Sequence, residues 1–233
     1  MNITILPSKA NGEIKAQPSK SMAHRLIIAA VLAKGKSAIK NVVMSEDIKA
    51  TLSAAEAFGA KYEISGDEIT VDSKGFNPEK NAVINCKESG STLRFLIPVA
   101  LTADFPIVFS GKPRLMERPL AEYENICKKE GLAFDRKDGN ITVCGSLRAG
   151  NYEIRGNVSS QYITGLLFAL PLLDDDSVLK ILPPVESRSY IDLTFETLDI
   201  AKIKYEKDGD TVKLFGNQQY SPITETVEGD FSN

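Results

Sequence analysis

The feature that most restricts how this 233-residue chain can fold is an internal threefold repeat. Pro18-Ser19-Lys20-Ser21 leads into an apolar run over 26–32, Glu88-Ser89-Gly90-Ser91-Thr92 into one over 95–101, and Val158-Ser159-Ser160-Gln161 into one over 166–170. Ser21 and Ser91 are 70 residues apart, Ser91 and Ser160 69. Later landmarks keep step: Gly59 to Gly131 is 72 residues and Gly131 to Ala201 is 70. Each landmark is followed by a turn and a short alternating stretch, over 68–71, 140–143 and 211–214.

Each unit therefore reads as strand, buried helix, strand, amphipathic helix and closing hairpin, a βαβαββ order. The first helix of each unit is apolar nearly all round, the pattern of a helix buried on all sides. The second is two-faced: Ile48, Leu52, Ala55 and Phe58 recur at helical spacing, with Lys49, Ser53 and Glu56 elsewhere. Three such units about a pseudo-threefold axis predict an α/β fold with helices inside and sheets outside, over residues 13–226. Residues 1–12 form a strand-like lead outside the repeat, and a fresh strand-like stretch begins at 224 and runs to 230.

Composition sets bounds on partners. Apolar residues make up 42% and charged residues 25%, enough for a core in a globular protein. A net charge of −3 offers no broad basic surface for nucleic acid or anionic membrane, so any anion site must be local. No apolar run reaches the roughly 18 residues of a membrane span, and the alternating start at 1–5 does not read as a signal peptide. Cys86, Cys127, Cys144 and the single histidine, His24, have neither zinc-ligand nor disulfide spacing, so the thiols read as reduced in a cytoplasmic protein that uses no metal.

Each buried helix begins with small hydroxylated residues or glycine. Serine caps a helix by accepting from its free first-turn amides, and those amides carry the positive end of the helix dipole. The same start binds phosphate or carboxylate when it faces a ligand, whereas plain capping needs none. Cations weigh towards a ligand. Lys20 sits between two serines, Arg25 lies on an otherwise apolar helix and calls for an anionic partner, and Arg118 lies in a basic loop ahead of Pro119. His24 reads as structural, Asp174-Asp175-Asp176 as a solvated loop, and Ser45-Glu46-Asp47 as a helix start.

These motifs resemble the EPSP synthase (3-phosphoshikimate 1-carboxyvinyltransferase) family. The resemblance lies in Pro18-Ser19-Lys20-Ser21-Met22-Ala23-His24-Arg25, Ser89-Gly90-Ser91-Thr92-Leu93-Arg94, the 112–119 loop, Ser159-Ser160-Gln161-Tyr162 and Ser187-Arg188-Ser189-Tyr190-Ile191-Asp192. It implies two domains, each an inverted α/β prism, with a cleft between them. The reaction implied is transfer of the enolpyruvyl group of phosphoenolpyruvate to the 5-hydroxyl of shikimate-3-phosphate, with no cofactor, in a monomeric cytoplasmic enzyme of a glyphosate-target family. Carried over, Lys20, Ser21, Arg25, Ser159, Ser160, Gln161, Ser187 and Tyr190 would hold shikimate-3-phosphate. Lys20, Gly90, Arg118 and Gln161 would hold phosphoenolpyruvate, with Lys20 also catalytic.

Where many family members read Asn-Ala-Gly-Thr-Ala-Met-Arg-Pro, this chain has Glu88-Ser89-Gly90-Ser91-Thr92-Leu93-Arg94-Phe95; the Gly and Arg are kept and their surroundings differ. The resemblance also implies that residues 1–12 and 227–233 belong to a second domain or the crossover to it, and that the chain binds substrate without turning it over alone. Two other readings are a UDP-N-acetylglucosamine enolpyruvyl transferase and a non-catalytic anion-binding module. Against the first, its motif has Lys-Asn where this chain has Lys20-Ser21, and the loop near Pro113 lacks its usual cysteine.

Overall fold

A computed structural model describes residues 16–230 together with 4, 9 and 11–14. The described residues form a mixed α/β structure with three four-stranded sheets. The first unit comprises α1 (Lys20–Leu32), β1 (Lys34–Lys40), α2 (Glu46–Ala57), β2 (Lys61–Ser65) and β3 (Glu68–Lys74). The second comprises β4 (Val83–Asn85), α3 (Gly90–Ala100), β5 (Ile107–Ser110), the short α4 (Pro113–Met116), α5 (Ala121–Glu130), β6 (Ala133–Lys137) and β7 (Asn140–Cys144). The third comprises β8 (Asn151–Arg155), α6 (Ser160–Ala169), a 3₁₀ turn, β9 (Ser177–Leu182), α7 (Arg188–Ile200), β10 (Tyr205–Asp208) and β11 (Thr211–Leu214). Among the described residues, β12 (Thr224–Thr226) is the one strand that follows.

The sheets run β4-β5-β7-β6, β8-β9-β11-β10 and β12-β1-β3-β2, each with its first pair parallel and the other two antiparallel. Units two and three follow the expected strand-helix order, with α4 added in the second. The first unit corrects it: its lead strand comes from the far end of the chain, where β12 pairs with β1. The stretch beginning at 224 thus completes the first sheet and does not start a new one. The strand-like lead at 1–12 lies largely outside the described residues.

Helices α1, α3 and α6 are buried almost all round, as their uniform apolarity requires, and the sheets cover them. Each amphipathic helix inserts one hydroxyl between neighbouring buried helices. Thr51 of α2 lies 2.7 Å from both His24 Nδ1 of α1 and Thr92 Oγ1 of α3. Tyr123 of α5 donates to the Arg94 carbonyl of α3 (2.7 Å), 3.0 Å from the Tyr162 carbonyl of α6. Thr194 of α7 lies 2.8 Å from Thr164 Oγ1 of α6 and accepts from Arg25 of α1 (2.9 Å). The three inserted residues are 72 and 71 positions apart, and His24, Arg94 and Thr164 are 70 and 70 apart, so the nodes are repeat equivalents. The Tyr123 node has a chemical reason: Pro98 has no N–H to give the Arg94 carbonyl, and Tyr123 supplies the missing donor. Gly165 makes room for it, since a Cβ there would stand 2.3 Å from the Tyr123 oxygen.

The first node makes His24 a pH-sensitive strut. Thr92 donates onward to Ser89 Oγ (2.7 Å), so the hydroxyl chain is completed by His24 donating from Nδ1, while the buried Nε2 has no partner. Burial pushes the His24 pKa down to about 4; Asp47 opposes this, and Lys20 and Arg25 add to it. The native state then stays neutral while the unfolded chain takes up a proton below its ordinary pKa of 6.5. Stability is expected to fall by about 3 kcal/mol as pH drops from 6.5 to 4, with no further loss from this group below that. Urea unfolding across this window checks it. His24→Asn keeps an N–H for Thr51 but does not titrate, and should show a visibly shallower decline; equal declines would refute the assignment.

Candidate functional site

Each of the three buried helices starts at a serine cap, and these caps set the repeat register. Ser19 caps α1 by accepting from the Met22 amide (3.3 Å), Ser89 caps α3 by accepting from Thr92 (3.1 Å), and Ser159 caps α6 by accepting from Gln161 (3.3 Å). The caps are 70 residues apart in both intervals (89 − 19 and 159 − 89). This corrects the pattern alignment by one position in the third unit: Ser160 is the equivalent of Lys20 and Gly90, and Gln161 of Ser21 and Ser91. Among the described residues, the amides of Lys20, Ser21, Gly90, Ser91 and Ser160 have no intramolecular acceptor, as first-turn amides do not. They form a shared source of anion-binding donors.

The second and third starts meet at Gly90. A Cβ there would lie 3.1 Å from Arg118 Nη1, 3.2 Å from Arg94 Nη1 and 3.7 Å from Gln161 Oε1. Only a residue without a side chain leaves this corner open to a ligand. Arg94 donates to Gln161 Oε1 (2.8 Å), and Gln161 Nε2 donates to Ser91 Oγ (3.0 Å), which together fix which way the amide faces. Arg94 lies 5.3 Å over the Tyr162 ring, with its Nε buried and unpaired. The Arg118 guanidinium has no carboxylate partner among the described residues. Two guanidinium groups beside one helix start bring together donors of the kind that suit phosphate or carboxylate.

A second group lies at the α1 start. Lys20, Ser21 and Tyr190 line one pocket of about 350 Å³ with Ser45 and Val43. Lys20 is 56% exposed and reaches Asp47 at 2.8 Å, an exposed pair that an incoming anion can displace at little cost. Ser187 caps α7 in the left-handed conformation (φ 53°), with its hydroxyl making no cap bond, an unusual state for a non-glycine residue. The Ser187 carbonyl accepts from the Tyr190 amide (3.0 Å), so hydroxyl and ring are held on one turn.

Arg25 departs from expectation. It is 2% exposed, and its partners are neutral: Thr194 Oγ1 (2.9 Å), the Ser21 carbonyl (2.7 Å), Thr164 Oγ1 (3.2 Å) and the Tyr190 carbonyl (2.7 Å). The guanidinium also lies 5.0 Å over Phe95. The anionic partner that its sequence position called for is absent among the described residues, and burial pushes its pKa down to about 9. Nη1 makes one hydrogen bond, to the Ser21 carbonyl, so its second N–H has no partner among the described residues.

The described geometry thus gathers Gly90, Arg118 and Gln161 with Ser159 and Ser160 at the α6 start, and Lys20, Ser21 and Arg25 with Tyr190 and Ser187. Arg94 and Asp47 were not anticipated as members; only their partners in space mark them. A cavity of about 770 Å³ lies beside the Arg118 loop next to Arg136 and Asn140; Arg118 lines it, but none of the three buried-helix starts does. Chemistry, not volume, locates the site. No group of three or more His, Cys, Asp and Glu side chains able to hold a metal occurs among the described residues. No helix there is long and apolar enough to cross a membrane.

A sequence model described as EPSP synthase (3-phosphoshikimate 1-carboxyvinyltransferase) matches residues 6–233. The chain belongs to the EPSP synthase family. It is 42% identical over 241 residues to the 3-phosphoshikimate 1-carboxyvinyltransferase of Clostridium perfringens (strain SM101 / Type A), covering 99% of this chain and 55% of the relative. To the protein of the same name from Clostridium novyi (strain NT) it is 43% identical over 245 residues, covering 99% and 56%. The chain spans about half the length of the curated relatives it matches. The fold is that of EPSP synthase from Acinetobacter baumannii (TM-score 0.79, 20% identity, 95% of this chain and 50% of that one). It also matches the enolpyruvyl transferase NikO from Streptomyces tendae (TM-score 0.71, 14% identity, 94% and 52%). In this chain too the buried helices lie under outer sheets.

Proposed function

We propose that this chain supplies the shikimate-3-phosphate half of an enzyme that transfers the enolpyruvyl group of phosphoenolpyruvate to the substrate's 5-hydroxyl, releasing phosphate. The observation that carries the reading is the Gly90 corner, where Arg118, Arg94 and Gln161 converge on a helix start that a side chain would close. That corner suits the carboxylate and phosphate of phosphoenolpyruvate. The uncommitted hydroxyl of Ser187, with Ser159 and Ser160, suits the sugar-like substrate's phosphate, and Tyr190, Ser21 and the spare N–H of Arg25 suit its ring and carboxylate. Lys20, once released from Asp47, neutralises charge between the two ligands. The chemistry needs proton transfer at the attacking hydroxyl and at the methylene carbon. We assign the remaining groups for those transfers, and the opposite wall of the cleft, to the half of the relatives' length that this chain does not span.

Calorimetry with shikimate-3-phosphate tests this directly. Ser187→Ala removes a hydroxyl that makes no cap bond, so it should leave the unfolding midpoint near the parent value. It should weaken binding by about tenfold, the loss of one hydrogen bond to a charged phosphate. Unchanged affinity would remove Ser187 from the site. Binding of UDP-N-acetylglucosamine and not shikimate-3-phosphate would overturn the substrate assignment.

A further inference from the structure

We propose that Arg136 is the positioning residue for Arg118, holding the loop that carries it against the sheet; the inference rests on the anion-binding reading of the Gly90 corner. The loop is anchored on either side of Arg118, by the buried Leu115, Met116 and Leu120 and by the Pro119 carbonyl, which accepts from the Tyr162 hydroxyl (2.6 Å), but the stretch that carries Arg118 has less support of its own. Its α4 is four residues long and has no side-chain cap. The Glu117 and Arg118 amides bond back to the carbonyls of Pro113 and Leu115, but the Met116 and Arg118 carbonyls have no backbone partner among the described residues. Arg136 takes both: Nη1 donates to Met116 (2.5 Å) and Nη2 to Arg118 (3.1 Å). Its Nε donates to Glu124 Oε1 on α5 (2.9 Å), and its guanidinium lies 5.9 Å from the centre of the Phe134 ring.

One planar group therefore joins β6, the loop and α5, and its own backbone is fixed by pairing with Ile141 on β7. Only a guanidinium can deliver three divergent N–H bonds in one plane; a lysine ammonium has no such fork. Glu124 offsets the second positive charge that this places near Arg118. The Arg118 side chain makes no hydrogen bond within the described residues, so its reach to the Gly90 corner is set by its backbone, and Arg136 holds that backbone. Arg136 is itself about one-third exposed, which makes a variant tolerable to the fold.

Arg136→Ala and Arg136→Lys, each in this chain, test it with two readouts. Hydrogen exchange followed by mass spectrometry should show the amides of 112–120 exchanging about tenfold faster in Arg136→Ala, and partly so in Arg136→Lys, with β7 and α3 unchanged. Titration with phosphoenolpyruvate in the presence of shikimate-3-phosphate should show about tenfold weaker binding, while shikimate-3-phosphate affinity holds. Unchanged exchange in the loop would overturn the proposal, as would faster exchange throughout the chain or equal loss of both ligands, which mark a general structural role. If the parent chain binds neither ligand, the functional reading fails, and the exchange pattern alone decides whether Arg136 holds the loop.

Discussion

A chain ended at Ile223 is expected to lose its cooperative fold. Removing β12 leaves the first sheet with three strands and bares β1, the strand whose counterparts β5 and β9 are covered on that side by β4 and β8. The losses extend beyond the sheet. The Val227 amide donates to the Lys40 carbonyl (2.9 Å), the Val227 carbonyl accepts from Asn41 Nδ2 (2.7 Å), and the fully buried Val227 side chain is removed. The Ser19 amide donates to the Glu228 carbonyl (2.9 Å) and the Asp230 amide to the Gln17 carbonyl (2.7 Å), so the same segment ties down the cap of α1. Several backbone bonds at about 1 kcal/mol each and one buried valine together amount to roughly 5 kcal/mol or more. That is comparable with the whole stability of many domains. Circular dichroism and urea unfolding are the checks. The expected result is retained far-ultraviolet signal with no sharp transition; a cooperative transition within 1 kcal/mol of the parent would show that β12 is dispensable.

That dependence explains why one part of the fold was hidden in the sequence while most was plain. The period, the buried first helices and the two-faced second helices are local patterns, and the serine-rich stretches at 18–21, 88–92 and 158–161 announce three helix starts. The lead strand of the first unit is not local. Thr224–Thr226 is a three-residue strand with an ordinary composition, and nothing in it names a partner near residue 38. The one-residue offset at Ser160 has a different origin. Two adjacent serines both read as caps, and only the extended backbone of Ser159 tells them apart. Within the candidate site, Lys20 was legible because its position between two serines is odd for a surface lysine, whereas Gly90 was picked out through the family resemblance. Arg94 entered only as a kept residue of the resemblance motif, because its role shows in space, where Gln161, 67 residues later, accepts from it. The free hydroxyl of Ser187 was legible only as a motif, because what sets it apart is a backbone angle.

Arg25→Ala is expected to destabilise the protein by about 3–5 kcal/mol, more than a substitution of a ligand-contacting arginine on a surface should. The side chain is 2% exposed, and its removal strips donors from two hydroxyls and two carbonyls across α1, α6 and α7 at once, while leaving a void against Phe95. Arg25→Lys should recover only part of the loss, since an ammonium cannot span those four acceptors. The native charge is nevertheless costly. Burial holds the group down near 9, well below the ordinary guanidinium range, so the native state binds this proton less tightly than the unfolded chain does. A network of hydroxyls and carbonyls that tolerates this cost, and still leaves one N–H of Nη1 unspent beside Ser21 and Tyr190, is explained if a ligand anion meets the cation there. The two roles separate by experiment. Chemical denaturation should show the stability loss in Arg25→Ala with or without ligand, and shikimate-3-phosphate should raise the unfolding midpoint of the parent but of neither variant by the same amount. Equal ligand-induced shifts in parent and Arg25→Lys would assign Arg25 to the scaffold alone.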